Sequence, residues 1–231
     1  MSSLILRCPA FRLAERQYAA RVVFEEFLGM DCRVVPHEKD YWEISGTEGR
    51  RALIMPDSFF SLAGADWLGT GSLPDQPLAV WNTSRSLPGT ALIRCELPVI
   101  AGRINSDGGW FSNSGTGTAR LGLDVLGATF FMLTRYEELV KTERDEHGRF
   151  PAKASLAYQE DFLHRPIIDE YIEVLWECLG EVFSGLRRKD RKYRVVPTHD
   201  LDRPFLFKSV KSYFHGLASH LRHGNVRMAS A

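Results

Sequence analysis

From Leu13 to Leu28 apolar positions recur at helical spacing. Leu13, Ala20, Phe24, Phe27 and Leu28 make one stripe, charged residues cover the other side, and Gly29 supplies the stop. The period then shortens. Cys32 to Val35 reads as a short strand ended by Pro36, and Tyr41 to Ser45 alternates as strands do and turns at Gly46. Ala52 to Met55 is a continuous apolar run stopped by Pro56 and Asp57, and Pro77 to Trp81 is another. An opening helix followed by short buried strands with brief connections predicts an α/β fold, a layered sheet with packed helices. Leu62 to Pro74 reads as loop with one helical turn, in which Trp67 serves packing.

Ile93 to Ile100 is strand-like, and Pro98 confines it to an edge or a bulge. Ala101 to Gly122 is the least regular region, with Gly102, Gly108, Gly109, Gly115, Gly117 and Gly122 set among Ser and Asn. Ser114-Gly115-Thr116-Gly117-Thr118 has the look of a phosphate loop, yet no Gly-Lys-Ser/Thr follows. A flexible loop leading into a helix is therefore expected there, with nucleotide binding as the alternative. Leu123 to Val140 is predicted as one continuous helix. Val125, Leu126, Phe130, Met132 and Leu133 bury its first half, and Asp124 sits in the first turn, where a negative charge suits the dipole. Its second half turns polar, and Arg135 and Glu138, three apart, can pair. Lys141 to Gly148 reads as a charged loop and Arg149 to Ser155 as extended chain around Pro151. Pro166 opens a further helix with the core stripe Ile168, Ile172, Leu175, Leu179 and Val182, ended by Gly185.

Leu186 to Lys192 is a basic linker. Tyr193 to Asp202 then reads as a buried strand that stops on His199, Asp200 and Asp202. Carboxylates at i and i+2 of an extended chain point the same way, and such a pair with an imidazole beside it suits a divalent cation and a general base. A polar turn that merely caps a strand is the structural alternative. After Pro204 the tail reads as an amphipathic helix: Phe205, Val210, Phe214, Leu217 and Leu221 oppose Lys208, Lys211 and Arg222, and His215, His220 and His223 lie along it.

Composition, 44% hydrophobic and 25% charged over 231 residues, fits a globular chain of one large domain or of one domain and part of another. A formal net charge of zero argues against a nucleic-acid partner. The charge is unevenly placed, however. From Arg187 onward there are eleven Lys or Arg against three Asp, a boundary signal as much as a binding signal. Cys8, Cys32, Cys95 and Cys178 form no C-x-x-C pair and read as reduced, apolar-packed thiols. No apolar run reaches membrane-spanning length and the first residues do not make a signal peptide, so a cytoplasmic protein is expected.

Thr198-His199-Asp200-Leu201-Asp202 resembles the first signature of the polysaccharide deacetylase (NodB-homology) family. Its surroundings, Phe130 to Glu138, then His147 to Ala152, then a helix and the segment ending in the motif, resemble a bacterial subgroup of that family. Members of that subgroup carry an uncharacterised α/β domain before the catalytic barrel. The resemblance implies an accessory domain over 1–190 and the first strand and helix of a deacetylase (β/α) barrel over 191–231. It implies hydrolysis of N-acetyl groups on saccharides, with Asp200 as general base, Asp202 as ligand of a divalent metal, zinc above all, and His199 in support. The family's later metal-binding histidines and general acid have no counterpart here. The chain is accordingly read as an N-terminal portion that binds no metal and shows no deacetylase activity by itself. The alternative is a complete, non-catalytic α/β binding or assembly module.

Overall fold

The structure is a computed structural model and describes residues 4–47, 50–62, 66–190, 192–200 and 209–222, with the backbone alone at 217 and 220–222. It divides into two compact units, Met1–Asp190 and Arg191–Ala231. In the first unit the elements follow as β1 (Leu4–Pro9), α1 (Leu13–Ala20), β2 (Cys32–His37), β3 (Tyr41–Gly46), β4 (Ala52–Pro56), β5 (Ala79–Asn82), β6 (Glu96–Val99), β7 (Phe111–Asn113) and β8 (Thr118–Leu121). Helices α2 (Val125–Leu133), α3 (Tyr136–Val140), α4 (Leu156–Gln159) and α5 (Ile167–Val182) complete it. The architecture is α/β, as the periodicity predicts.

One mixed sheet orders the strands β2-β1-β3-β4-β8-β7, and β5 pairs with β6 in a separate antiparallel ribbon. Side chains of alternate strand residues fall on one face, and the register carries the core straight across: Leu6 faces Ile44, Ile44 faces Leu53, and Leu53 faces Ala119, all fully buried. The helices cover this face. The intervening residues, such as Arg7, Glu43 and Arg120, look out from the other side, where Arg7 pairs with Glu43 at 3.0 Å.

The predicted helix from Leu13 to Leu28 forms, but its second half, Arg21–Leu28, winds as a π-helix before Gly29 closes it at φ 67°. Three expectations change. The glycine-rich region is not irregular throughout: Phe111–Asn113 and Thr118–Leu121 form a hairpin, with Ser114 to Gly117 as the loop that joins them. Thr118–Leu121 alternates exposed and buried, a pattern too short to outweigh the flanking glycines in the sequence. Second, the long helix breaks at Thr134 and Arg135, where Arg135 takes a left-handed φ of 55° and the chain restarts as α3. Arg135 and Glu138 nonetheless pair as the spacing predicts. Third, Ala152–Ala154 is a 3-10 turn within the stretch expected to be extended.

In the second unit, α6 (Val210–Arg222) forms where the amphipathic pattern places it. The predicted buried strand before it does not. Residues 192–200 have no regular secondary structure and are exposed, with Tyr193, Val195 and Val196 at 93%, 71% and 63%. Apolar β-prone residues make a strand only where a neighbouring strand accepts their backbone bonds, and none does so among the described residues.

Candidate functional site

Strands β1, β4 and β8 run the same way, so their carboxyl ends share one edge of the sheet. In α/β sheets this is the edge where ligands gather. Three chain segments bring ionisable groups to it. Arg12 and Arg16 open α1 after β1, Asp57 follows β4, and Asp124 follows β8 as the N-cap of α2.

Arg16 is fully buried. Its Nε donates to Asp57 Oδ1 at 3.2 Å and its Nη2 to Asp57 Oδ2, a bidentate pair that leaves both charges satisfied away from water. Ser61 Oγ adds a bond of 2.7 Å to Asp57 Oδ2, and the guanidinium lies 5.1 Å from the Phe60 ring. Arg16 Nη1 is buried with no hydrogen-bond partner among the described residues. Asp124 accepts from the Gly127 amide at 2.8 Å and from the Phe59 amide at 2.9 Å. Complete burial, and then the neighbouring Asp57, push its carboxyl up from 3.8 to about 7 against these amide bonds.

Around these groups Phe59, Phe60, Trp67, Phe130, Phe131 and Tyr136 interlock, Phe59 and Tyr136 edge-to-face at 5.0 Å. Arg12 stands at φ 52° with its guanidinium 4.1 Å from the Phe11 ring and 4.2 Å from Trp67, and donates to the Leu62 carbonyl at 2.8 Å. Trp67 thus packs, as expected. The Tyr136 hydroxyl accepts from the Leu68 amide at 2.6 Å and donates to Ser72 at 3.0 Å. Chemically the cluster is a lock: it ties the 57–62 loop to α1 and α2 and turns its charges inward.

The sequence-predicted residues lie elsewhere. His199 and Asp200 are exposed in the irregular stretch, and Asp202 is outside the described residues, as are Phe205, Phe207 and His223. Among the described residues no group of three or more His, Cys, Asp or Glu is placed to hold a metal. A zinc site needs about three protein ligands and an open position, so the described residues do not fit one by themselves. Arg16 is not among the residues the sequence singles out, and Asp57 figures there only as the stop of a strand. A signal was there, since Arg16 stands three residues after Leu13 and four before Ala20, inside the apolar stripe, where a guanidinium demands a buried acid.

A model of a family of unknown function, DUF7033, matches residues 4–184. The chain belongs to DUF7033. The DUF7033 match holds the whole sheet, α1 to α5 and the Arg16–Asp57–Asp124 cluster, and it ends before the Thr198–Asp202 motif, on which it is silent. No curated protein and no solved structure matches the chain.

Proposed function

We propose that the DUF7033 unit is a non-catalytic accessory domain, and that residues 191–231 open a metal-dependent carbohydrate deacetylase segment of a cytoplasmic protein. One observation carries this reading. A self-contained unit ends at Asp190, and a β-prone segment follows whose Val195 and Val196 stand exposed just ahead of Thr198-His199-Asp200. Apolar side chains in that position gain stability once a sheet covers them. On this reading Asp200 takes the proton, Asp202 is one metal ligand, His199 supports them, and the substrate is an N-acetylated saccharide. When bound, a divalent metal, zinc by resemblance, would supply an activated water and stabilise the oxyanion.

The test is to read the gene past the codon for Ala231 and to assay what it encodes. A His-x-x-x-His-type motif is expected downstream, together with zinc-dependent acetate release from N-acetylated oligosaccharides that Asp200→Asn abolishes. The 231-residue chain alone should release none. Absence of the motif, or release that ignores Asp200→Asn, would refute the reading. The exposure of Asp200 favours a second reading, a non-catalytic binding or assembly module. Under it, zinc binds the 231-residue chain no better than it binds any exposed carboxylate, and no downstream motif is found.

A further inference from the structure

The open face of the sheet carries a cleft of about 180 Å³ at the carboxyl ends of β4 and β8. Tyr41, Ile54 and Pro56 give it an apolar floor, and Arg103 and Arg120 stand in its wall.

That wall is a fixed frame. The Arg103 amide donates to the Gly122 carbonyl at 2.8 Å, the Gly122 amide to Trp110 at 2.6 Å, and the Asp124 amide to Ala101 at 3.0 Å. Asn105 bonds to Gly109 through its backbone at 2.9 Å and to the Arg120 carbonyl through its side chain at 3.3 Å. Gly102 and Gly122 let the two chains touch: a Cβ on the first would strike the Gly122 carbonyl oxygen, and one on the second the Arg103 carbonyl oxygen. The 101–110 segment is thereby pressed onto β8, and Arg103 is held over the floor.

The charges on this frame are not cancelled. Among the described residues the Arg120 side chain makes no hydrogen bond or ion pair. Arg103 meets only Asp40, loosely at 3.8 Å, and that carboxylate is largely solvated. Lys39 adds a third cation, 5.2 Å from the Tyr41 ring, though Glu43 partly offsets it at 3.7 Å. A rigid concavity with unspent guanidinium donors is a receptor for anionic oxygens. Its volume is below the usual range for drug-sized ligands, which limits the occupant to about one sugar ring and excludes a nucleotide or a polymer.

We propose that this cleft binds a monosaccharide-sized anion, its carboxylate or phosphate between Arg103 and Arg120 and its ring over Tyr41 and Pro56. The inference is independent of the deacetylase reading, since it uses no residue beyond Asp124, far ahead of the Thr198–Asp202 motif.

The test is calorimetric titration of the 231-residue chain with glucuronate, with glucose 6-phosphate and, as the neutral control, with glucose. At millimolar concentration at least one anion should bind and glucose should not. Which anion binds tells carboxylate from phosphate. Arg120→Ala and Arg103→Ala should each weaken binding about tenfold or more, the loss expected of a charge-assisted contact, with the melting temperature unchanged. Arg187→Ala, remote from the cleft, should bind as the parent does. The proposal fails if neither anion binds, if glucose binds as well as they do, or if both cleft variants bind like the parent.

Discussion

Arg16 and Asp57 have left water together, and neither can remain buried alone. Removing one partner of such a pair costs about 3–5 kcal/mol, because the other is stranded as an uncompensated charge. Arg16→Ala should therefore lower the urea midpoint steeply, whereas Arg7→Ala, whose partner Glu43 sits on the open face, should cost about 1 kcal/mol or less of stability and shift it little. Similar losses in the two variants would contradict the lock. Asp124 gives a separate signature. Its carboxyl is raised in the folded chain, so between roughly pH 4 and 7 the folded state keeps a proton that the unfolded state has released. Stability should then fall as pH rises across that window and level off above it. Denaturation curves should show this slope in the parent and a flatter one in Asp124→Asn. The thiols report burial directly: burial pushes Cys8 and Cys32 up to about 11 and raises Cys178 too, while Cys95 is exposed. Ellman's reagent near neutral pH should find one fast thiol in the native protein, and Cys95→Ser should remove it. The exposure of Cys95 corrects the expectation that all four are packed among apolar neighbours.

The elements were legible where a period ran long enough. Leu13 to Leu28 and Ile168 to Val182 offered several turns of stripe, and both are helical. Thr118–Leu121 spans four residues beside glycines, so only tertiary pairing with β4 and β7 defines it. The break at Arg135 was equally hidden, since a left-handed arginine leaves no compositional trace. Of the buried cluster, Asp124 was visible as a helix-start acid, but its distant contact with Phe59 was not. The segment before Asp200 is irregular although its valines predict a strand, because valines signal a strand without saying whether a partner strand is present. Two glycines on helices test the packing. A Cβ at Gly127 would strike Asp124 Oδ2 and come within 2.6 Å of Phe59 Cβ, so Gly127→Ala should cost about 1–3 kcal/mol. Gly180 on α5 faces open space, and Gly180→Ala should stabilise by about 0.5–1 kcal/mol through helix propensity. Thermal melts that reverse this order would show that α2 is not seated as described.

At the scale of the molecule, the division at Asp190 predicts where a protease enters. Trypsin should cut first near Lys192 or Arg194, in the exposed stretch, and leave a fragment of about the first unit that keeps its melting temperature. Early cleavage between Leu4 and Val182 would mean that the sheet is not the stable body. The order of strands carries one more consequence. Ala52 lies beside Thr118, so the central β4 keeps a bare flank until a strand from far along the chain arrives. On the ribosome, β1 to β4 emerge with that flank open, and a neighbouring nascent chain can take the place meant for β8. Slow, chaperone-sensitive maturation is the expected result, and substitutions that weaken the β7–β8 hairpin should surface as inclusion bodies before they register as a lower melting point.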